Sequence, residues 1–598
     1  TSWGQLPEDR PDLFEETIKL LLSRWQRARE VTGPDGEPVI EPGIAQVLAA
    51  DEGKVRTALH RLALRAQERQ GRGEEREARA ADIGEEEVLL ALLPLFKEGV
   101  DPARVLGYLE TRAGLLVGRA PGVYAFPHRS FQEYLAACHL ADEAEFAAEL
   151  RERVWQDPDW WREVFLLGVG KAKQGGLGNA RHLVNTLVPE GPAEVSEATE
   201  THWRAASLGG QALLDLRFPQ QAEGKPSFEA VLKRIRRWLV DLLATPEALT
   251  PHERAQAGDV LGRLGDPRPG VGVTAVEHEG QPVILPDIHW VKVPGGPFLM
   301  GSPEDDDMAY DEEHPQHELD LPAFYIARYP ITNAQYHPFV ESGYDEPRYW
   351  TEEGWAWRTG EREPDLSPID DEDLRKDYAD WLARRPAERR GAPFWWNHPR
   401  WGLANRPVVG VSWYEALAYS RWLTERLRVP GCTFRVWRNG QREALSVRPE
   451  TFVVRLPSEA EWEKAARGTD GHRWPWGDEW VNGRANTEEA NVEETSTVGA
   501  FPAGASPWGG MEMAGNVWEW TRSRWGRTSI YRPDYGYPYD ATDRREDLVG
   551  PDLRVLRGGS WLSLQGYARC AYRFRYVPDF FYSYFGFRVV VSLVHSGF

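Results

Sequence analysis

Two patterns of apolar residues divide the chain. From Asp12 to about Leu264, apolar residues recur at three- and four-residue spacing, the period of one helix face. This pattern predicts helices over residues 55–67, 86–96, 130–141, 228–243 and 251–264, with glycine- and proline-rich breaks between them. The first half of the chain is therefore expected to be all-α, packed as a bundle or as stacked helix pairs.

The pattern changes around residues 265–271, where glycine and proline predict a linker and the main domain boundary. After Leu285 come short β-type runs at 290–293, 298–300, 324–327 and 452–456, interrupted by helical patterns over 413–426 and 458–466. Ser458 is expected to cap the second of these helices. The chain as a whole is thus predicted to be α+β. Its predicted parts are 1–170 (helical), 171–270 (a helical bundle or repeat-like connector) and 286–598 (an irregular α+β domain).

Composition narrows the function classes. The 71 basic and 93 acidic side chains give a net charge of −22, which disfavours a nucleic-acid partner in the absence of a basic patch. No apolar stretch approaches the ~18 residues of a membrane helix, and the start of the chain shows no leader pattern, so a cytoplasmic location is expected. The three cysteines lie far apart, which excludes a disulfide framework. Scarce methionine and cysteine beside abundant charge suit a heat-adapted (thermophile) protein.

The most specific string of the first half begins Phe126-Pro127-His128 and continues to Tyr134 and Ala136. It resembles the winged-helix segment that follows the ATPase core in NACHT-type STAND proteins, which implies a winged-helix-like region within residues 1–170. His128 is expected to cap the following helix or to contact a nucleotide domain. A phosphate-binding loop requires GxxxxGK followed by Ser or Thr. The nearest string, Gly168-Val-Gly-Lys-Ala, lacks both the upstream glycine and the hydroxyl, so no ATPase activity is predicted here.

The second half carries at least seven glycine- and tryptophan-rich motifs in order. They start at Val293, Tyr329, Arg406, Arg455, Trp474, Met513 and Arg554, and Gly586-Phe587-Arg588 closes the series. Together they resemble the formylglycine-generating enzyme (sulfatase-modifying factor) family over roughly residues 286–592. The resemblance implies a C-type-lectin-like fold.

The family's oxidases hold copper through two cysteines shortly after a Gly-Gly-Ser motif, because Cu(I) requires soft thiolate ligands. After Gly558-Gly559-Ser560 this chain has no cysteine until Cys570, which matches a further family cysteine taken as structural. Cys138 and Cys432 lie outside the motifs. The helical half also lacks the HxxxHxE-like motif of related iron enzymes. The sequence therefore predicts no catalytic residues and no required cofactor.

An aromatic segment follows that glycine motif. Between Trp561 and Phe587, eleven of twenty-seven residues are aromatic, and residues 580–585 are consecutive Phe, Tyr and Ser. Consecutive side chains cannot all point inward in a strand or helix, so several are expected to be exposed or to face a ligand. The positions that lie between fixed frame residues are Leu562, Ser563, Leu564, Tyr567, Tyr572, Phe574, Tyr576, Phe580, Phe581, Tyr582, Ser583, Tyr584 and Phe585.

This segment, residues 561–587, resembles the variable region of the target proteins of diversity-generating retroelements. In those proteins an asparagine-rich template of AAC codons is copied with errors at adenine, so the copied positions scatter over NNC codons. Leu, Ser, Tyr and Phe can all be encoded by NNC codons, and no asparagine follows Asn516. The resemblance implies thirteen hypervariable positions on a lectin-like scaffold. Their residue types are those that antibody loops favour.

The sequence contains few candidate metal-binding sites. Asn516 and Glu519 match a family motif that supplies calcium ligands in some members, so a structural calcium ion is a candidate there. The pair His314 and His317 lacks the spacing of a helical zinc motif, and the acidic residues 304–307 are expected to form a surface loop.

The sequence thus predicts a non-catalytic protein whose variable face binds a protein or other macromolecular ligand. Two alternatives stay open. One is a formylglycine-generating-enzyme-like oxidase, and the other is a NACHT-linked adaptor with a fixed protein partner.

Overall fold

The computed structural model describes residues 10–26, 29–32, 35–41, 52–70, 82–99, 101–103, 106, 116–429, 434–438, 441–445 and 452–593. Its contacts divide the chain into two compact units, Thr1–Trp238 and Leu239–Phe598. Cys432 lies outside the described residues. Of the helices described, none combines the length and apolar character that crossing a membrane demands.

The first unit is dominated by helices, as the period predicts. They are α1 (Arg10–Gln26), α2 (Glu52–Gln70), α3 (Glu85–Leu92), α4 (Arg129–Ala141), α5 (Phe146–Gln156), α6 (Pro158–Gln174), α7 (Leu177–Leu187), α8 (Glu200–Asp215), α9 (Phe218–Ala222) and α10 (Pro226–Ala244), whose residues 239–244 belong to the second unit. It is not all-α, however. Its strands are β1 (Arg29–Thr32), β2 (Pro38–Glu41), β3 (Ile83–Gly84), β4 (Val117–Ala120) and β5 (Val123–Ala125). Strands β3, β5 and β4 form a small antiparallel sheet, and β1 pairs with β2. These strands are too short to leave a two-residue period in the sequence.

The second unit begins earlier than the predicted linker. Its helices are α11 (Pro251–Leu264), α12 (Asn333–Ser342), α13 (Glu352–Thr359), α14 (Glu372–Leu382), α15 (Trp413–Leu427) and α16 (Glu459–Arg467). Its strands are β6 (Val273–His278), β7 (Gln281–Pro286), β8 (His289–Val293), β9 (Gly296–Met300), β10 (His317–Leu321), β11 (Phe324–Ala327), β12 (Phe434–Arg438), β13 (Gln441–Leu445), β14 (Phe452–Arg455), β15 (Trp518–Gly526), β16 (Leu553–Arg557), β17 (Phe574–Tyr576), β18 (Phe585–Gly586) and β19 (Val590–Leu593).

Helix α11 belongs to this second unit because its polar side chains contact residues far along the chain in that unit. Arg254 donates to the carbonyl of Ala500 at 2.8 Å, and Arg406 forms an ion pair with Asp259 at 2.5 Å. The predicted boundary at residues 265–271 and the connector 171–270 are therefore wrong in detail. The division at residue 170 is displaced as well, because it falls inside α6. The sequence pattern shows only where the composition changes. The unit to which a helix belongs depends on long-range contacts such as these.

Two sheets organise the second unit. The larger has the order β13-β12-β8-β11-β19-β14, and the smaller has the order β17-β16-β15-β18. Ser412 caps helix α15 and Ser458 caps α16, and in each case the serine and a glutamate three residues later form a reciprocal capping box. The core that joins sheets and helices is built on buried tryptophans, including Trp290, Trp413 and Trp520. Wide aromatic rings fill a core that such short strands could not fill with aliphatic residues.

Candidate functional site

Residues 561–587, the predicted variable segment, are mounted on the smaller sheet. Strand β17 pairs antiparallel with β16, with Phe574 opposite Leu556, and β18 pairs parallel with β15, with Phe585 opposite Trp518. The segment follows Gly559, whose φ is 75°. A Cβ atom added to Gly559 would lie only 3.0 Å from the Cα of Ala568. A side chain is thus excluded at Gly559 both by conformation and by space.

Frame arginines tie the segment to the rest of the unit. Each of three arginines donates two hydrogen bonds to one buried glutamate, with N–O distances of 2.5–2.9 Å. The pairs are Arg569–Glu313, Arg573–Glu459 and Arg588–Glu519. Bidentate pairs of this kind fix both position and orientation. The path of the segment is therefore held by side chains that lie between the thirteen candidate positions or just after them, not by those positions alone.

The thirteen candidate positions differ in exposure. Leu562, Leu564 and Tyr567 are exposed (53, 49 and 38%). The half-buried members are Phe574, Tyr576, Tyr582, Ser583 and Tyr584. The buried members are Ser563, Tyr572, Phe580, Phe581 and Phe585.

Five of the thirteen candidate positions are thus interior, and among the consecutive residues 580–585 three are buried and three are half-buried. Phe580 packs against Tyr378 with ring centroids 4.5 Å apart, and Phe581 packs against Phe394 at 4.7 Å. No strand or helix period indicates which of these side chains face inward, because residues 577–584 form neither a strand nor a helix. Helix α14 supplies Tyr378, and this cover over Phe580 could not be read from the local sequence.

The accessible members, together with two residues from elsewhere in the chain, are called here the aromatic face. We define it as Leu562, Leu564, Tyr567, Phe574, Tyr576, Tyr582, Ser583 and Tyr584, together with Tyr310 and Trp381. Successive rings touch along it: Phe574 and Tyr576 lie 5.2 Å apart, Tyr576 and Tyr582 5.8 Å, and Tyr582 stacks on Tyr584 at 4.8 Å. Trp518 stacks beneath Phe574 at 4.5 Å and gives the face a rigid base.

Tyr310 and Trp381 were missed by sequence reasoning. Tyr310 is 45% exposed and meets the ring of Tyr572 edge-on, with ring centroids 5.5 Å apart, and Tyr567 meets the same ring at 5.2 Å. Trp381, from α14, donates its Nε1 hydrogen to the carbonyl of Phe581 at 2.8 Å and packs on Tyr582 at 4.7 Å. Both lie far from residues 561–587 in the chain, and no local pattern marks them. Only the tertiary fold brings them to the face.

The half-buried phenol groups of the face stay neutral. Burial raises the pKa of Tyr576, Tyr582 and Tyr584 above the usual tyrosine value. Neutral phenols can both donate and accept hydrogen bonds. Beneath this surface, burial raises the pKa of Asp579 to about 6, and its Oδ1 has no hydrogen-bond partner.

The two candidate calcium ligands are already engaged. Both oxygens of Glu519 accept hydrogen bonds from Arg588, and Oε2 also accepts from Trp462 at 2.7 Å. The side-chain oxygen of Asn516 accepts from the backbone of Ser496 at 3.0 Å. A calcium ion at Glu519 would have to displace a buried arginine, so this pair does not fit the ion. Among the residues that the structure describes, no group of three or more His, Cys, Asp or Glu is arranged to hold a metal.

Comparison with known proteins decides the family of this domain. Residues 279–593, more than half of the chain, match the family described as the sulfatase-modifying factor enzyme 1-like domain. The chain belongs to this family. Residues 10–140 match the winged helix-turn-helix domain C-terminal to NACHT. The predicted fold class, a helical winged-helix region followed by a lectin-like domain of this family, is confirmed at that level.

Similar members of the sulfatase-modifying factor family include named enzymes. The formylglycine-generating enzyme of Thermomonospora curvata is 31% identical over 321 residues, which cover 50% of this chain and 91% of that protein. Hercynine oxygenase of Mycolicibacterium smegmatis is 32% identical over 302 residues, covering 47% and 56%. The chain thus spans about half the length of the hercynine oxygenases it matches. Among solved structures, Treponema denticola variable protein 1 aligns with a TM-score of 0.32 at 19% identity, covering 53% of this chain and 98% of that chain.

Two cysteines of this family member are described, and both are buried. Burial raises the pKa of the Cys570 thiol to about 12 and that of Cys138 to about 11. A buried, protonated thiol is a poor nucleophile and a poor metal ligand. After Gly558-Gly559-Ser560, Ser563 is buried. Its hydroxyl lies 3.0 Å from that of Ser560.

The remaining sequence motifs have structural positions. His128 caps α4, with its Nδ1 accepting from the backbone of Ser130 at 3.2 Å. Gly168 lies in the interior of α6, so its string forms helix and not a phosphate-binding loop. His317 Nε2 accepts from the backbone of Tyr539 at 2.9 Å, and His314 Nδ1 contacts the Ser302 carbonyl at 2.9 Å.

Proposed function

We propose that the second unit is a non-catalytic ligand-binding domain, and that residues 561–587 are the variable region of a diversity-generating retroelement target protein. The observation that carries this proposal is the aromatic face. Where the resemblance to formylglycine-generating enzymes leads one to expect a pair of reactive thiols, this chain presents Leu562, Leu564 and Tyr567 to solvent. Exposed aromatic and aliphatic patches of this kind mark interaction surfaces.

The chemistry of the face suits binding. Tyrosine provides a large rigid contact area at low entropic cost and can both donate and accept hydrogen bonds, while serine adapts to varied partners. Removing roughly 500 Å² of apolar area from water would contribute about 12 kcal/mol before association costs are subtracted. We infer that the ligand is a protein or another macromolecule, because the face is an open surface built from several chain segments.

The architecture supports diversification. Arg569, Arg573 and Arg588 hold the segment through partners that lie outside it. Substitutions at the accessible candidate positions would therefore leave the backbone path anchored. The template expected from the frame residues would encode asparagine at the thirteen positions and leave the arginines unchanged.

We further propose that the first unit derives from a NACHT-type signalling protein. Ligand capture by the second unit would then be coupled to an ATPase core supplied elsewhere. The match of residues 10–140 to the winged helix that follows NACHT domains supports this origin.

The decisive experiment reads the gene's neighbourhood and its siblings. A nearby repeat carrying AAC codons at the thirteen positions, with a reverse-transcriptase gene, is the expected finding. Sequencing the locus in sibling isolates should show substitutions confined to those positions. A segment that is identical in every isolate would instead favour an adaptor with one fixed partner.

An oxidase remains the second candidate because the chain aligns with most of the length of the Thermomonospora curvata enzyme. We expect no copper-dependent conversion of a cysteine-containing sulfatase peptide when the purified chain is incubated with Cu(I) and oxygen. Mass spectrometry of the peptide would detect formylglycine. Its formation at a rate above the metal-only control would overturn the non-catalytic assignment.

A further inference from the structure

The aromatic face has an acidic rim at one end. Leu562, Leu564 and Tyr567 lie between two segments that carry exposed carboxylates. On one side, the turn at residues 304–308 reaches the segment through Met308, whose Cε lies 3.3 Å from the position a Cβ on Gly566 would take. On the other side, Glu488 donates its backbone N–H to the carbonyl of Ser563 at 3.0 Å.

The carboxylates of this rim are exposed or incompletely paired. Asp305 and Glu488 are exposed, and the side chain of Asp307 is 87% exposed although it lies 3.8 Å from the guanidinium group of Arg473. Glu489 uses one oxygen to accept from the backbone of Gln565 at 2.8 Å, and its buried Oε2 has no hydrogen-bond partner.

The basic groups at this end are already engaged with carboxylates. Arg473 pairs with Asp306 at 2.8 Å, and buried Arg569 pairs with Glu313 at 2.7 Å. The electrostatic potential around the apolar side chains next to this rim is therefore negative. The net charge of −22 adds to that field at low ionic strength.

Resting on the proposed function, we infer that the ligand of the aromatic face is a basic protein segment. It places leucine-sized or aromatic side chains on Leu562, Leu564 and Tyr567, and a lysine or arginine next to Asp305, Asp307 and Glu488. Complementary charge at the rim speeds encounter and selects partners, whereas the apolar centre supplies most of the affinity.

The test uses a random dodecapeptide library displayed on phage and panned on the full chain. We expect enriched peptides to place Lys or Arg beside Leu or an aromatic residue. The variant Asp305→Asn/Asp307→Asn/Glu488→Gln should lose the basic bias and retain the apolar one. The matched control Glu277→Gln/Glu279→Gln/Glu318→Gln removes the same charge from exposed positions on β6, β10 and the β6–β7 turn, and should leave the bias unchanged.

The dissociation constant of the best peptide is then measured by fluorescence anisotropy. The variant removes three exposed carboxylates, and each exposed ion pair is worth a factor of about 1.4 to 5 in affinity. The rim variant should therefore bind about three- to 150-fold more weakly than the wild type in 50 mM salt. The two proteins should converge as salt screens the rim.

The outcomes separate this inference from the proposed function. The variant Leu562→Ser/Leu564→Ser/Tyr567→Ser changes only exposed side chains, and it should abolish binding while the thermal unfolding of the chain shifts only slightly. If this variant binds normally, the aromatic face is not the binding surface and the proposed function fails. If it loses binding but the rim variant does not, only the basic-segment inference fails. Enrichment of neutral or acidic peptides, or binding to a neutral glycan array without any peptide enrichment, would also overturn the inference.

Discussion

The division of the candidate positions into buried and exposed members predicts unequal tolerance to substitution. Phe581 is 1% exposed and contacts Phe394 and Trp381, with ring centroids 4.7 and 5.6 Å away. Leu564 is 49% exposed. Serine is within reach of an NNC codon at both positions. We therefore compare Phe581→Ser with Leu564→Ser.

The magnitudes follow from burial. A buried phenylalanine covers about 150–250 Å², worth about 4–6 kcal/mol at 25 cal/mol per Å². Truncations of buried phenylalanine cost about 3–5 kcal/mol when measured. Two lost ring contacts add to this cost, and a buried serine hydroxyl would need a partner. We expect Phe581→Ser to lower the free energy of unfolding by about 3–5 kcal/mol, and Leu564→Ser by about 0.5 kcal/mol.

Urea unfolding measures the difference. Tryptophan fluorescence and near-ultraviolet circular dichroism should be followed together, because a two-unit chain need not unfold in one step. The transition that carries the near-ultraviolet signal of the tryptophan-rich second unit should shift for Phe581→Ser only. Equal shifts for the two variants, or a shift under 1 kcal/mol for Phe581→Ser, would refute the assignment of Phe581 to the interior.

Three further predictions concern buried groups of the same domain. Asp579 has a folded-state pKa of about 6, above the ~3.9 of an unfolded aspartate, so its contribution to stability is full below pH 4 and is lost as pH rises to 6. Asp579→Asn should therefore raise the free energy of unfolding at pH 7 by up to about 3 kcal/mol, seen as a higher Tm, and should have little effect at pH 4. Glu519→Gln should cost about 3–5 kcal/mol because it leaves Arg588 buried without its anion. Cys570 and Cys138 should resist iodoacetamide at pH 8 in the native chain and react in urea, as read by peptide mass mapping.

Each of these has a result that would contradict it. A Tm difference between Asp579→Asn and wild type that is the same at pH 4 and pH 7 would show that the carboxyl is not titrating in between. Arg544→Gln breaks an exposed ion pair with Asp547 and should cost under 1 kcal/mol. If Glu519→Gln lowers the free energy of unfolding by no more than Arg544→Gln does, the buried ion pair does not have the importance assigned to it. Native-state labelling of Cys570 would show that the thiol is accessible.

Much of the fold follows from local pattern. The helices over residues 130–141, 251–264 and 413–426 are confirmed almost to the residue, and the predicted caps His128 and Ser458 are present. Apolar period and capping are local properties, so a sequence records them directly. The short strands of the first unit and the assignment of α11 to the second unit were not predictable, because both depend on contacts between distant segments.

The candidate site divides in the same way. The sequence by itself determined where the aromatic residues are concentrated, that no cysteine pair follows Gly558-Gly559-Ser560, and which arginines frame the segment. Only the tertiary structure decided that Phe581 is interior while Leu564 is exposed. Helix α14 covers one part of an irregular loop and leaves another part open, and in such a loop side-chain direction has no period to read. Burial is a property of what packs against a residue from elsewhere in the chain, and that neighbour is fixed only when the chain has folded.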